Sequence, residues 1–218
     1  MNLIYFIIYF ITYWSSALVF FIMDFFELNI FNRIFIRKTH DILQQYKHTV
    51  LIILKEQFII QLPSLFIIQY LIEYYHYNQL SLYYSIINCC ICGIINNILF
   101  TIAHHCMHHF KCLYKFHKVH HIHKHPICIS SEFGHRVEII INWTIITWLP
   151  CILFPMNDII MYIYIVINVL QGIIGHSGYF ITFFKRDCLR HYIHHNFFNC
   201  NYGFEPYDIY MHTNKINI

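Results

Sequence analysis

Charged side chains are scarce in this chain of 218 residues: Asp, Glu, Lys and Arg make up 11% of it, about half the share that soluble domains have. Apolar residues make up 58%. A chain with so few charges cannot cover a water-facing surface, so we expect it to face lipid. The formal net charge of +3 is small, and no basic stripe with interleaved aromatic residues is present, which argues against a nucleic-acid partner.

Several sequence signatures of catalysis are also missing. The chain has no Gly-rich phosphate loop, no Gly-x-Ser-x-Gly nucleophile elbow and no pair of carboxylates at acid–base spacing. Its nine cysteines lack the spacing of a zinc finger or of a disulfide framework. Cys106, Cys112 and Cys128 lie among histidines, which keeps zinc binding by these thiols open as an alternative.

Long apolar stretches organise the chain. Residues 3–22, 49–71 and 80–103 are each long enough to cross a bilayer as a helix. Residues 139–175 are apolar too, but they are interrupted near Pro155, which predicts a short helical hairpin. We therefore predict an all-α integral membrane protein with about four transmembrane helices, the last two a short hairpin, and a cytosolic, helical, histidine-rich cap that binds metal.

The other segments connect these stretches. Residues 3–22 lack the basic n-region and the small-residue cleavage site of a signal peptide, so we favour a retained membrane anchor. Residues 24–48 predict an amphipathic connector at the membrane surface, and residues 72–79 predict a short link. We expect residues 1–218 to form a single membrane domain.

The distribution of lysine and arginine predicts which side of the membrane each connecting segment faces. Thirteen of the fourteen lie in residues 24–48, 104–138 and 176–218. Cytoplasmic segments of membrane proteins are enriched in these residues. The three segments are therefore expected on the cytosolic side, with the N-terminus lumenal. The two catalytic histidine segments, 104–138 and 176–213, can then form one site.

Histidine is unusually abundant, with eighteen copies. Three sets of histidines have a helical spacing that puts their members on one helix face. Two further histidines lie nearby. These candidates are too many for one metal ion and suit two ions with four or five nitrogen ligands each: His104, His108, His117, His120, His121, His135, His176, His191, His194 and His195.

Spacing alone leaves several questions open. Imidazole binds zinc, copper, iron and nickel alike, so the metal is not named. His105 and His109 are also four residues apart, in a frame rotated by about one residue from that of the other histidines. Glu132, Glu138 and Asp187 are the nearby carboxylates that would orient imidazole N–H groups. A histidine-rich tract is also typical of passive metal binding, although the recurrence of the x-x-His-His pattern far along the chain argues against it.

The order of these histidines resembles the sterol desaturase/fatty acid hydroxylase superfamily of integral membrane non-haem di-iron oxygenases. The HxxxH box of that family is met at 104–108, and its two HxxHH boxes at 117–121 and 191–195. The segment 131–138 resembles the family's Ala-Glu-Tyr-x-His-Pro-x-Glu, and the His-Ser-Gly-Tyr at 176–179 matches the methylsterol oxidases within the family.

This resemblance, over residues 97–213, implies the ligand frame and the chemistry. It selects the frame of His104 and His108. It implies two iron ions that receive electrons from cytochrome b5 and an NAD(P)H-linked reductase, activate O2, and hydroxylate or desaturate an unactivated C–H bond. It also implies that four residues support the ligands: Glu132, Glu138, Asn201 and Asp208.

The implied substrate is a membrane lipid, and the implied location is the endoplasmic reticulum membrane. The methylsterol-oxidase motifs favour C4-methyl oxidation in sterol biosynthesis. Sterol C5 desaturation and hydroxylation of a sphingolipid or fatty acid stay open. A non-enzymatic metal-binding membrane protein or transporter is an alternative of another class, but a transporter would carry ionisable ligands inside its spans. The chain departs from the family pattern at Asn97, His105, Arg136 and Tyr207.

Overall fold

The computed structural model describes residues 3–28, 30–32, 39–75, 80–181 and 184–215. All regular secondary structure in these ranges is helical, which confirms the all-α class. The helices are α1 (Ile4–Phe25), α2 (Thr39–Glu56), α3 (Leu62–Tyr75), α4 (Leu82–His109), α5 (Lys111–His117), α6 (Arg136–Ile139), α7 (Thr147–Leu153), α8 (Asp158–Ser177), α9 (Lys185–Phe197) and α10 (Glu205–Tyr210). Two π-helical segments, Gln57–Gln61 and Ile140–Ile146, join α2 to α3 and α6 to α7.

Five helical stretches are long and apolar enough to cross a membrane, one more than the count of about four expected from the sequence. They are Ile4–Phe25, Asp41–Tyr74, Leu82–His109, Arg136–Leu153 and Asp158–Ser177. The additional one arises because both arms of the predicted short hairpin are full-length helices of 18 and 20 residues. The chain turns between these arms at residues 154–157, at the predicted position.

The second apolar stretch is longer than the predicted 49–71. Its helix begins at Thr39 and includes the last part of the predicted connector, while residues 33–38 of that connector lie outside the described residues. At its other end α3 extends to Tyr75, and residues 76–79 of the predicted link also lie outside them. The π-helical segment Gln57–Gln61 ends two residues before Pro63. A proline has no N–H and its ring clashes with the carbonyl four residues earlier, so a wider turn there is physically reasonable.

Helices α1 and α8 pack along each other at the centre of the protein. Tyr5, Tyr9 and Tyr13, four residues apart, share one buried face of α1. On α8 the buried residues include Ile165 and Val169. Because lipid chains are as apolar as these side chains, close packing and interhelical hydrogen bonds stabilise the pair rather than removal of the side chains from water.

The outward faces of the long helices are apolar as well. Ile11 on α1, Ile94 on α4 and Ile167 on α8 are each more than half exposed. Such a surface suits contact with lipid chains rather than water. The histidines of α4 and α8 lie in the last turns of these helices, at the ends of two candidate membrane spans.

Candidate metal centre

Nine histidine side chains converge in two groups. The first group is His104, His108, His117, His121 and His194, and the second is His120, His176, His191 and His195. Within each group, one nitrogen atom per imidazole lies within 4.8 Å of all the others. All nine side chains are buried or half-buried. The structure thus brings together nine of the ten predicted ligands.

Adjacent histidines serve different groups. His117 is the last residue of α5, and a 3₁₀ turn follows at His120–Ile122. Neighbouring residues on a helical turn point about 100° apart. His121 therefore reaches the first group while His120 reaches the second. The pair His194 and His195 on α9 divides in the same way.

The His-Ser-Gly-Tyr motif has a structural explanation. His176 lies in the last turn of α8, and Gly178 ends that helix with a left-handed φ of 76°, a conformation in which glycine has no steric cost. The hydroxyl of Tyr179 donates to Asp24 on α1 at 2.9 Å. The motif therefore supplies one of the converging histidines, ends its helix and fixes that end of α8 against α1.

Hydrogen bonds at Nδ1 determine which nitrogen of each ring is available. Nδ1 of His104 lies 2.7 Å from the carbonyl oxygen of Tyr202, and that of His194 lies 2.7 Å from the carbonyl oxygen of Cys200. A carbonyl oxygen can only accept, so Nδ1 carries the hydrogen in each ring. The lone pair of Nε2 is then left free to bind a metal.

In the second group, two imidazole nitrogen atoms face each other in a way that requires a cation. Nδ1 of His120 donates to the carbonyl of Phe133 at 2.9 Å, and Nδ1 of His176 donates to the carbonyl of Gly172 at 2.8 Å. The Nε2 atoms of these two rings are 3.3 Å apart. Both carry lone pairs and no hydrogen, so they repel each other unless a cation binds both.

The spacing in the first group fits a shared ion too. Nε2 of His117 lies 3.0 Å from that of His104 and 2.9 Å from those of His108 and His121. Nitrogen atoms about 2.1 Å from one metal and at right angles to each other lie about 3 Å apart. Donor type and spacing therefore both fit metal ions.

Burial keeps these imidazoles neutral. It lowers the pKa of His120 to about 4. The pKa values of His117 and His121 are lowered further, first by burial and then by the neighbouring histidines. Burial likewise lowers the pKa of His191, His194 and His195 well below the ordinary 6.5. Only a neutral imidazole binds a metal, so the groups are in the required protonation state at neutral pH.

Three of the four predicted supporting residues lie where they can orient the site. Glu138 is buried, and Nδ1 of His117 donates to its Oε1 at 2.8 Å. Asp208 accepts from the backbone N–H groups of Tyr202 and Gly203, which fixes the peptide whose carbonyl holds His104. Asn201 is buried and donates to the carbonyl of Arg190 in α9 at 3.2 Å.

Glu132 differs from the expectation that it would orient an imidazole. Its Oε2 accepts hydrogen bonds from Tyr9 at 2.6 Å, Gln57 at 2.8 Å and Gln61 at 3.3 Å, and its Oε1 has no partner. The side chain points between α1 and the π-helical segment Gln57–Gln61 instead of towards the histidines. Burial raises its pKa to about 7. Asp187, another carboxylate considered from the sequence, is exposed in the first turn of α9.

The remaining predicted ligand, His135, lies outside both groups. Its side chain is exposed, and its Nδ1 accepts from the backbone N–H of Val137, so it caps α6. The other histidines of the tract and the three nearby cysteines belong to neither group either: His105, His109, His123, His125, Cys106, Cys112 and Cys128.

Two departures from the family pattern contact each other. His105 stands where the family has arginine, and its Nδ1 lies 2.7 Å from the hydroxyl of Tyr207, which stands where the family has tryptophan. Arg136, in place of the family's proline, pairs with Glu56 at 2.9 Å. Asn97 donates to the carbonyl of Gly93 in its own helix. None of these contacts removes one of the nine converging histidines.

The residues that hold Glu132 were not among those predicted from the sequence. Tyr9, Gln57 and Gln61 come from two candidate spans far away in the chain. A signal was present: Gln57 and Gln61 are four residues apart inside an apolar stretch, so they share a helix face. Polar residues inside such a stretch need partners, and these two have one in common.

Comparison with known proteins identifies a protein family and several relatives that resemble this chain. The fatty acid hydroxylase family matches residues 89–213. Methylsterol monooxygenase 1 of Rattus norvegicus is 29% identical over 159 residues, which cover 69% of this chain and 54% of that protein. The same enzyme of Gallus gallus is 27% identical over 159 residues, with coverages of 67% and 53%. C-4 methylsterol oxidase of Schizosaccharomyces pombe is 31% identical over 80 residues, 34% of this chain and 27% of that protein.

No solved structure matches the chain significantly. The chain spans about half the length of the two animal methylsterol monooxygenases. The family match, by contrast, covers more than half of this chain and contains all nine converging histidines. The chain therefore belongs to the fatty acid hydroxylase family.

Proposed function

We propose that this protein is a membrane oxidoreductase that holds two iron ions and oxidises the C4-methyl group of a sterol with O2. The observation that carries the proposal is the convergence of nine neutral imidazoles into a group of five and a group of four. Iron is the metal implied by the family. The sterol is supported by the names of three relatives, which are methylsterol monooxygenases or a methylsterol oxidase.

The ligands of each ion would be the members of one group. When bound, the two iron ions would supply the redox chemistry by which O2 is activated and a C–H bond is oxidised. The protein's own contribution is to fix the ligands before metal arrives. Nδ1 of His104, His120 and His194 is held by a backbone carbonyl, so each ring presents its Nε2 lone pair without reorganisation.

Burial contributes a second effect. The rings of His104, His194 and His195 are 2% exposed or less, so bulk water has little access to the ligand atoms. Exclusion of water strengthens electrostatic interactions at a site and limits side reactions. Adjacent histidines also link the two groups, since His120 and His121 belong to different groups, which would hold the two ions in a fixed relation.

Electrons would come from cytochrome b5 and an NAD(P)H-linked reductase, and the protein would reside in the endoplasmic reticulum membrane. The support is the charge distribution: lysine and arginine concentrate in the same segments as the histidines, and such segments face the cytosol. A cytosolic donor would then reach the metal side of the protein while a lipid enters from the bilayer.

Metal analysis and lipid analysis together test this proposal. The purified protein should contain about two iron ions per chain, as two separate ligand groups require. In cells that lack C4-methyl oxidation, its expression should convert C4-methyl sterols to oxidised products visible by mass spectrometry. The His120→Ala/His121→Ala variant, which removes one ligand from each group, should lose both iron and products. Sterol oxidation by metal-free protein would refute the di-iron centre, and oxidised sphingolipids or fatty acids in place of sterols would refute the substrate.

A further inference from the structure

A small cavity and an apolar groove adjoin each other beside the two π-helical segments. The cavity, of about 10 Å³, is lined by Tyr9, Gln61 and Trp143, among others. The groove, of about 240 Å³, is lined by Ile67 and Leu149 and other apolar residues. Ser64 and Thr144 line both, and the hydroxyl of Thr144 donates to that of Ser64 at 3.2 Å. Together they form one amphipathic site with a polar end and an apolar body.

The polar end contains an unmet hydrogen-bonding need. Gln61 is 4% exposed, and its Oε1 is buried without a partner, while its Nε2 donates to Glu132. A buried acceptor without a partner costs about 1–3 kcal/mol. A ligand that donates one hydrogen bond into the cavity would remove this cost. A volume of about 10 Å³ has room for roughly one oxygen-sized group.

The surroundings determine which donor fits. Within the described ranges, no lysine or arginine lines the cavity or the groove, so the negative charge of a carboxylate or phosphate head group would meet no compensating charge there. An ammonium group has three hydrogens to place, but Gln61 Oε1 is the one unpartnered oxygen among the cavity-lining residues of the described chain. A hydroxyl has a single hydrogen and no charge.

The groove is suited to a hydrocarbon. Ile67 is 62% exposed and Ile145 is 50% exposed, and both lie on candidate membrane spans. The groove therefore opens on the apolar outer surface, where a lipid can enter sideways from the bilayer. The π-helical segment Ile140–Ile146 lines both the groove and the cavity, and Gln57–Gln61 lines the cavity through Gln61. Such segments occur frequently at functional sites.

We propose that the cavity and the groove bind a neutral membrane alcohol, with the hydroxyl donating to Gln61 Oε1 and the hydrocarbon skeleton lying along the groove. Two hydrogen bonds and one peptide unit connect the cavity to the metal centre. Gln61 donates to Glu132, and the carbonyl of the next residue, Phe133, holds His120. That this alcohol is the lipid to be oxidised rests on the proposed function; the selection of an alcohol over other lipids does not.

Fluorescence can test the site without turnover. Two of the three tryptophans, Trp143 and Trp148, line the cavity, so energy transfer to dehydroergosterol, a fluorescent sterol with a free 3-hydroxyl, reports occupancy. The experiment uses the full chain in lipid nanodiscs, as purified, without reductant. Cholesterol should displace the probe about five- to tenfold better than cholesteryl methyl ether, which cannot donate, as expected for one hydrogen bond. Oleate and sphingosine should compete more weakly than cholesterol.

A variant and its control test whether Gln61 causes the preference for the alcohol over the ether. Gln61→Leu should abolish the difference between the alcohol and the ether, whereas Gln69→Leu should preserve it. Gln69 is buried on the same stretch, but it bonds to Glu73 and lines neither the cavity nor the groove. Equal competition by the alcohol and the ether in the unaltered protein would overturn the proposal, as would a preference for oleate or sphingosine.

The result is independent of the proposed reaction. Discrimination by the 3-hydroxyl in a protein that yields no oxidised sterol would support the site and count against the proposed function. Sterol oxidation by a protein whose energy transfer ignores the 3-hydroxyl would have the opposite meaning.

Discussion

The Nδ1 atom of His104 lies 2.7 Å from the carbonyl oxygen of Tyr202, 98 residues further along the chain. The N–H of the same peptide group, on Gly203, donates to Oδ2 of Asp208, and the N–H of Tyr202 donates to Oδ1. One buried carboxylate therefore sets the position of the carbonyl that orients a histidine on α4. Through this peptide the short helix α10 is coupled to the first histidine group.

Replacement of Asp208 by alanine should destabilise the protein and release iron from the first group. Asp208 is fully buried and also accepts from Arg190, which is 3% exposed. Removing one partner of a buried charge pair costs about 3–5 kcal/mol. Thermal unfolding in detergent and iron content per chain measure the two effects.

The Asp208→Asn and Glu205→Gln variants supply the controls. Asparagine keeps the shape of Asp208 and one oxygen acceptor but loses the charge that pairs with Arg190, so it should destabilise the fold less than alanine does while His104 is held less firmly and iron is lost. Glu205 lies on the same helix and pairs with Arg186 and, at 3.3 Å, with Arg190, but it does not contact the Tyr202 peptide. It is partly exposed, and such pairs contribute about 0–1 kcal/mol. Iron loss in Glu205→Gln equal to that in Asp208→Asn would contradict the role assigned to Asp208.

Substitution of Gly203 by alanine should displace the same peptide. A Cβ atom at Gly203 would lie 2.5 Å from Oγ1 of Thr101, which accepts the N–H of Phe204. Overpacking of this kind costs about 1–3 kcal/mol. The melting temperature and the iron content should both fall. A Cβ atom at Gly93 on the same helix as Thr101 would meet nothing within 4 Å, so Gly93→Ala should preserve both properties, and a similar loss in the two variants would rule out the steric explanation.

Much of the fold follows from segment length and composition. Apolar runs predicted the spans because a bilayer requires every backbone group to be bonded within a helix. The extent of α2 was not predicted, since residues 41–48 are polar enough to suggest a surface connector although they continue the helix. The π-helical segments were not predicted either. They depend on local backbone geometry near Pro63 and on packing between helices, which a hydropathy pattern does not contain.

The ligands follow from the sequence more readily than their grouping does. Helical spacing and the family resemblance together named ten candidate ligands, nine of which converge, because helical periodicity puts residues three and four apart on one face. Spacing did not separate His120 from His121, since that depends on α5 ending at His117. The partners of Glu132 were also missed. They come from residues 9, 57 and 61, and no local pattern connects those positions to residue 132.

Replacement of Glu138 by alanine should weaken iron binding by about 10- to 100-fold, as is usual for the loss of a carboxylate that supports a ligating histidine. Its Oε1 accepts from Nδ1 of His117, and the pair is buried. Retention of iron against a graded series of chelators measures the effect. Glu138→Gln, which can still accept a hydrogen bond, should lose less. Glu73→Ala changes an exposed glutamate away from the site and should have no effect; an equal loss in Glu73→Ala would refute the assignment.

Acid should destabilise the metal-free protein. Burial lowers the pKa of His120 to about 4 and lowers those of five other converging histidines. The unfolded chain, with an ordinary histidine pKa of 6.5, binds more protons below that pH, so stability is full above pH 6.5 and is lost as the pH falls towards 4. Burial raises the pKa of Glu132 to about 7 and also raises the pKa of Asp187, and both shifts have the opposite effect, but these are two groups against six.

The melting temperature of chelator-treated protein should therefore fall between pH 7.5 and pH 5. Iron competes with protons for the same nitrogen atoms, so the iron-loaded protein should show a weaker dependence over that range. A melting temperature of the metal-free protein that stays level or rises on acidification would mean that the histidines are not buried as neutral groups.

His108 and His109 are adjacent in the last turn of α4 and should differ completely in their effect on iron. Nε2 of His108 lies 2.9 Å from that of His117 and 3.1 Å from that of His121, whereas His109 is exposed and belongs to neither group. His108→Ala removes a ligand from the first group alone, so roughly half of the iron should remain. His109→Ala makes the same chemical change at the neighbouring position of the same helix, and this variant should retain all of the iron. Equal iron loss in the two variants would favour a passive histidine-rich tract, because only a built site distinguishes neighbouring residues by the direction of their side chains.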